Sequence, residues 1–188
     1  MERTCLFVIC AAPLAQRAPD IAQALVDADW TVQVIATPSA AAGWVDHEAL
    51  QRITGSVVRS TYRAPDQPKT RSQPDAVLVC PATFNTIGKL ANGIADDYAL
   101  SALCEALGAG VPIMAVPMIN ENLWAHPALE PNLDRLSRAG VVTIDPGTME
   151  AGAGSVRSGA GQRVAEMLDA PSLVGRLRQL VGAGRPRS

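Results

Sequence analysis

The chain has 188 residues, 16 of them basic and 18 acidic, for a net charge of −2. That length predicts one domain with a sizeable core, residues 1–182, followed by a frayed tail over 183–188, and the balanced charge argues against a nucleic-acid partner. No apolar run approaches membrane-spanning length and no charged, cleavable leader is visible, so a cytoplasmic protein with no membrane partner is expected.

Cys5 to Cys10 reads as a first strand buried on both faces. The turn Ala11-Ala12-Pro13 leads into a helix whose Ile21, Ala24, Leu25 and Ala28 recur on one face. Thr31 to Ala36 is a second strand and ends in Thr37-Pro38-Ser39. Asp46 is placed to cap a short helix carrying His47, Leu50 and Ile53. Ser56 to Arg59 reads as a weak third strand, and Ser60 to Pro74, rich in proline and charge, as a long surface loop.

The run Ala76 to Cys80 is the strongest strand signal in the chain, with Pro81 expected to end its ladder because it has no N–H to donate. Thr83, Asn85 and Thr86 follow, and then Ile87, Leu90, Ala91 and Ile94 at helical spacing. Tyr98 to Leu107 is a further helix stopped by Gly108 and Gly110, and Pro112 to Val116 a further strand. The helical region after Asn120 is interrupted by prolines, and Val141 to Ile144 closes the list of strands. Asp145 to Gly161, with five glycines and no apolar pattern, reads as a mobile flap or loop. Val164 to Val181 supplies one or two helices. The four cysteines show no CxxC spacing, and with only two histidines the reading is buried reduced thiols and no metal site.

Strands alternating with helices predict an α/β fold, a parallel sheet with helices on both faces. In such sheets ligands lie beyond the carboxyl ends of the strands. Four turns fall there: Ala11-Ala12, Thr37 to Ser39, Thr83 to Thr86, and Met118 to Asn120. Helix starts offer unpaired N–H groups to an anion or polar heterocycle, although Thr and Asn also serve as plain helix caps. The dinucleotide pattern GxGxxG is absent after the first strand, which favours a mononucleotide with one phosphate over NAD.

Two of these stretches carry a resemblance. Pro81-Ala82-Thr83-Phe84-Asn85-Thr86, with Lys89 to Asp96 after it, resembles the PASANT motif of the FMN-containing cysteine decarboxylases, which include phosphopantothenoylcysteine decarboxylase and lantibiotic peptidyl-cysteine decarboxylases. Pro117 to Trp124 is similar to that family's second motif, PxMNxxMW. The resemblance runs from residue 4 to about residue 168 and implies a three-layer Rossmann-like, flavodoxin-like sandwich. It also implies an FMN cofactor shared between subunits of a homotrimer, sometimes built into a dodecamer. On this basis Thr83, Phe84, Asn85, Thr86 and Met118 would hold the flavin, with Ala12 and Thr37 or Ser39 near its phosphate and ribityl chain. Asn120 matches the asparagine that meets the substrate carboxylate; a helix cap is its other reading. The family has Gly-Ser at the first turn, and Ala11-Ala12 here removes that hydroxyl while keeping the backbone N–H groups.

The proton-handling groups do not match. The family's histidine, shortly before the aspartate that opens the central strand, falls at Gln67, in a loop without histidine, and the flap's cysteine has no counterpart in Asp145 to Gly161. A glutamine is no general base at neutral pH, and proton transfer contributes roughly a hundred- to ten-thousandfold. His126 is either a relocated acid/base group or a structural residue beside Pro127. Two expectations follow: an FMN enzyme acting by redox or decarboxylation chemistry on a small thiol, carboxylate or peptidyl-cysteine substrate, or a non-catalytic flavin-binding accessory or regulatory protein.

Overall fold

The computed structural model describes residues 3–64, 66 and 73–183. Five parallel strands, β1 (Arg3–Ile9), β2 (Trp30–Ala36), β3 (Ala76–Ala82), β4 (Ile113–Pro117) and β5 (Val141–Thr143), lie in the order β2-β1-β3-β4-β5. This is a doubly wound, flavodoxin-like order. The chain leaves β1 toward one edge of the sheet and leaves β3 toward the other. A crevice must therefore open between their carboxyl ends.

The two-residue period of the strands sorts their side chains onto two faces. Cys5, Phe7, Ile9 and Leu78 point into one core with α1 (Ala18–Asp27), α3 (His47–Thr54), α8 (Gly161–Met167) and α9 (Ala170–Ala183). Leu6, Val8, Val77 and Val79 point into the other, beneath α4 (Phe84–Ala91), α5 (Tyr98–Gly108) and α7 (Leu129–Arg138). Every residue of β3 and β4 is buried, which is why these strands read as continuous apolar runs rather than alternating ones.

Several expected boundaries move. The chain from Ser56 to Arg59 touches the sheet at one bridge only, Arg59 to Ile35; Val58 is buried there while Val57 stays 63% exposed, too little anchorage for a strand. β3 continues through Pro81. The missing N–H falls where the pairing with β4 shifts register between Val79 and Ala82, and the Pro81 carbonyl still accepts from Cys10 N at 3.2 Å. Helix α4 stops at Ala91, so Ile94 lies outside it. Gly93 takes φ +67°, and Gly93 N and Ile94 N donate back to the Leu90 and Lys89 carbonyls. That closure needs a residue that tolerates a left-handed backbone. The turn after β1 is a 3-10 turn, Pro13–Arg17, before α1 begins. In α7, Pro131 sits in the first turn, where an absent N–H costs nothing.

Asp145–Gly161 is a docked strap. Val156 N donates to Ile119 O at 2.8 Å, and Asp145 Oδ1 accepts from Gly147 N and Thr148 N at 2.8 and 3.0 Å. Gln67 lies outside the described residues, as do residues 184–188. Among the described residues no helix is long and apolar enough to cross a membrane, and no group of three metal-binding side chains forms.

Candidate functional site

A cavity of about 750 Å³ occupies the crevice at the carboxyl ends of β1 and β3. That size accommodates a cofactor-sized molecule. The four turns singled out by their position after strands all reach it, each for a local reason.

At the centre, Thr83 caps α4: its Oγ1 accepts from Thr86 N at 3.4 Å. Behind it, Thr86 is buried, with its hydroxyl 3.1 Å from Thr83 Oγ1 and 3.2 Å from Cys10 Sγ. This chain of small polar groups ties the end of β1 to the start of α4. Burial pushes the Cys10 thiol up, with the Thr86 hydrogen bond opposing, so sulfur stays protonated at neutral pH. Phe84 and Asn85 line the cavity, and as the first residues of α4 their N–H groups have no intrahelical acceptor. An eight-residue helix with an uncharged start therefore presents donors and partial positive charge to the cavity.

On one side, Thr37 caps the single turn α2 (Pro38–Ala41), with Oγ1 accepting from Ala40 N at 3.4 Å, and Ser39 lies beside it at the cavity wall. Ala12 closes the neighbouring wall in extended conformation. Met118 is buried beneath, its Sδ accepting from Leu14 N at 3.2 Å while Met118 N donates to Ala82 O at 2.9 Å. These bonds lock the end of β4 to both β3 and the first turn.

Asn120 caps the short helix α6 (Glu121–Trp124), Oδ1 accepting from Leu123 N at 3.0 Å. The cap reading thus holds for its oxygen, and its Nδ2 is left without a protein acceptor among the described residues. His126 is not part of the cavity lining. Its ring meets Phe84 edge-on, centroids 5.4 Å apart, and its Nδ1 accepts from Ala128 N at 3.1 Å. Phe84 thus touches both the cavity and His126, and the histidine itself is exposed outside the lining.

The fifth wall was not legible in advance. The strap brings Arg157, Ser158 and Gln162 to the cavity, and Trp44 and Asp97 reach it from elsewhere. Arg157 is the sole basic residue between Arg138 and Arg163. That isolated charge in a Gly-, Ala- and Ser-rich segment was the available signal. Asp97 is committed to capping α5, with Oδ1 accepting from Leu100 N at 2.8 Å. Lys89 is paired with Asp96 at 2.7 Å, and this hydrogen bond holds the exposed Asp96 carboxyl below its usual range.

The architecture and its crevice define a doubly wound α/β protein with a cofactor-sized cavity, and comparison with known proteins narrows the class. The model of the Flavoprotein family matches residues 1–171, and the chain belongs to that family. It is homologous to the coenzyme A biosynthesis bifunctional protein CoaBC of Bacillus subtilis, 32% identical over 151 residues, 77% of this chain and 36% of that protein. It is also 28% identical over 166 residues to a probable phosphopantothenoylcysteine decarboxylase of Streptococcus mutans, 85% of this chain and 92% of that one. Among solved structures, the FMN-dependent cysteine decarboxylase TvaF from thioviridamide biosynthesis superposes with a TM-score of 0.69 at 25% identity, covering 88% of this chain and 99% of that one. The chain spans only about a third of the length of the bifunctional relatives, 28% and 36% in two of them.

Proposed function

We propose that this chain binds FMN in the cavity at the ends of β1 and β3 and belongs, chemically, beside the cysteine decarboxylases while lacking their usual proton-handling pair. The observation that carries the reading is the composition of that cavity. It joins the α4 start with its free N–H groups, the hydroxyls of Thr83 and Thr37, the Phe84 ring and the Met118 floor. A flat heterocycle with a polar edge and a phosphate tail needs that mixture of apolar walls and fixed donors. The residues fit the group even with Ala11-Ala12 at the first turn, because backbone donors serve a phosphate without a hydroxyl. TvaF is named as an FMN-dependent cysteine decarboxylase and the Streptococcus mutans relative as a probable phosphopantothenoylcysteine decarboxylase, which supports the same cofactor here.

Bound FMN would supply a two-electron acceptor for a thiol-bearing substrate. The chain's own residues then bind and orient. Phe84 and Met118 bound the apolar part of the cavity, and the Thr83 hydroxyl and the start of α4 meet polar atoms. The free Nδ2 of Asn120 donates to a substrate carboxylate. What the chain does not provide is a histidine in Ser60–Pro74 or a thiol in Asp145–Gly161. His126, exposed and in contact with Phe84, is the remaining candidate for moving a proton. The substrate class is a small thiol, carboxylate or peptidyl-cysteine.

That deficit also supports a second reading, a flavin-binding accessory or regulatory protein without turnover. Purified protein should be yellow and release FMN; a colourless protein that gains no flavin from excess FMN would refute the cofactor. Incubation with phosphopantothenoylcysteine then separates the two readings. Slow or no release of carbon dioxide is expected; flavin bleaching marks the enzyme and unchanged flavin the accessory protein, and release at about one per second or faster would show that the missing pair is replaced. In that event His126→Ala should abolish it and leave flavin absorbance intact.

The assembly is proposed as a homotrimer or a multiple of it. Trp44 and Leu123 lie at the cavity and are 40% and 41% exposed, apolar surface that a neighbouring copy would cover. Light scattering that finds a monomer with FMN bound would exclude a shared site.

A further inference from the structure

We infer that Arg157 is the oxyanion anchor of the cavity, the residue that recognises a carboxylate or phosphate group carried by the bound ligand. The inference rests on the flavin-cavity reading and deepens it. Val156 N donates to Ile119 O at 2.8 Å, and Val156 pairs in parallel with Asn120. The next residue, Arg157, is thereby set beside the Asn120 end of the cavity, and it is one of the residues that line it.

Charge accounting among the lining residues singles it out. Lys89 donates to Asp96 at 2.7 Å, and Asp97 Oδ1 accepts from the Leu100 N–H at 2.8 Å. The Arg157 side chain has neither an ion pair nor a hydrogen bond among the described residues, while its backbone carbonyl accepts from Ala160 N at 2.9 Å. It is thus the one lining cation there without a carboxylate partner. Its guanidinium carries five N–H donors in a planar fork that matches two oxygens of one oxyanion.

A second observation points the same way. The Oδ1 of Asn120 is taken by Leu123 N at 3.0 Å. A backbone N–H requires an acceptor, so the amide orientation is fixed and its other half, Nδ2, can only donate. Two residues on paired segments thus offer side-chain donors alone. A ligand group with several acceptor oxygens and a negative charge satisfies both; a neutral acceptor leaves the arginine's charge uncompensated, and a cation is repelled by it. The strap's Gly161, packed against Pro13, fixes the far end of the segment, so the arginine is carried on a docked backbone.

The oxyanion has two sources, the flavin phosphate or a carboxylate on a second ligand, and one set of titrations tells them apart. FMN and riboflavin are titrated into wild type, Arg157→Gln and Arg157→Lys. The FMN-loaded proteins are then titrated with 3-mercaptopropionate and with its amide, followed by flavin absorbance. If the second ligand supplies the anion, Arg157→Gln binds 3-mercaptopropionate roughly ten- to a hundredfold more weakly, and the amide unchanged. Arg157→Lys falls between, and the wild-type advantage shrinks with added salt. If the flavin phosphate is the anion, the same factor is lost from FMN and not from riboflavin. Either result supports the anchor. Equal affinities of wild type and Arg157→Gln for all four probes overturn it. Should wild type take up no flavin, the proposed function falls by itself, and calorimetric titration with inorganic phosphate still decides the anchor. Tenfold weaker binding in Arg157→Gln supports it, and no difference or no binding overturns it.

Discussion

Thr83 and Arg157 face one cavity from segments of opposite character. Thr83 sits where β3 gives way to α4, between a strand buried on both faces and a helix with its own cap, so its position follows from short-range pattern and sheet pairing. Arg157 sits in a strap with no apolar period, placed by contacts with distant residues: Ile119 through the backbone, Pro13 through Gly161, and Arg17, whose Nη1 donates to Ala165 O at 2.7 Å just beyond. The difference teaches where each kind of substitution should be felt. Changes in the β3–α4 unit should lower the stability of the whole domain, and changes in the strap should lower ligand affinity with less effect on folding.

The largest effect is expected at Leu78, which is fully buried in the middle of β3. Leu78→Ala should cost about 2–5 kcal/mol in urea denaturation. A loss no greater than that of a strap variant would break the contrast.

Next comes alkaline pH. Burial raises the thiols of Cys5, to about 12, and of Cys10 and Cys80. The folded state then holds protons that the unfolded chain releases above about pH 9. Stability is therefore full below that value and falls as pH rises toward the folded pKa, by up to about 1.4 kcal/mol per pH unit for each thiol. Urea midpoints between pH 7 and 11 should show the decline, and Cys5→Ala should flatten it; an unchanged slope in that variant would remove Cys5 from the account.

A third and smaller effect belongs to the strap. A Cβ at Gly161 would stand 2.7 Å from Pro13 Cγ, a ring atom tied to backbone, and 3.5 Å from Met118 Cε. Gly161→Ala should displace the strap at roughly 1–3 kcal/mol or less, and FMN affinity should fall more than the melting temperature suggests. An intact affinity with a large loss of stability would reverse the assignment.

The smallest is the cap. Thr83→Ala should cost about 0.5–2 kcal/mol and Thr83→Ser much less, because Ser keeps the oxygen that accepts from Thr86 N. Equal losses in both would mean that the methyl group, not the cap, matters there.

The contrast also marks what could be read in advance. Ala76 to Cys80 announced its strand because both faces are buried, and Asp46 announced its helix because capping is local: its Oδ1 accepts from Ala49 N at 2.9 Å. Pro81 misled, since its ability to stay in a strand depends on a register shift with β4, which the chain's own neighbours do not encode. Ser56 to Arg59 has strand-like composition, yet its pairing depends on how far the β2 edge extends.

The sequence by itself determined the alternating plan of strands and helices, the turns at Thr37, Thr83 and Asn120, and the absence of a histidine and a thiol from two loops. Periodicity, capping and residue identity are short-range properties, and all three survive in a linear reading. Only the tertiary structure decided the strand order, the seating of the Asp145–Gly161 strap, the contact of His126 with Phe84, and the arrival of Arg157 beside Asn120. Those depend on pairings between residues many positions apart, and no local pattern of side chains specifies the partner of a backbone hydrogen bond such as Val156 to Ile119.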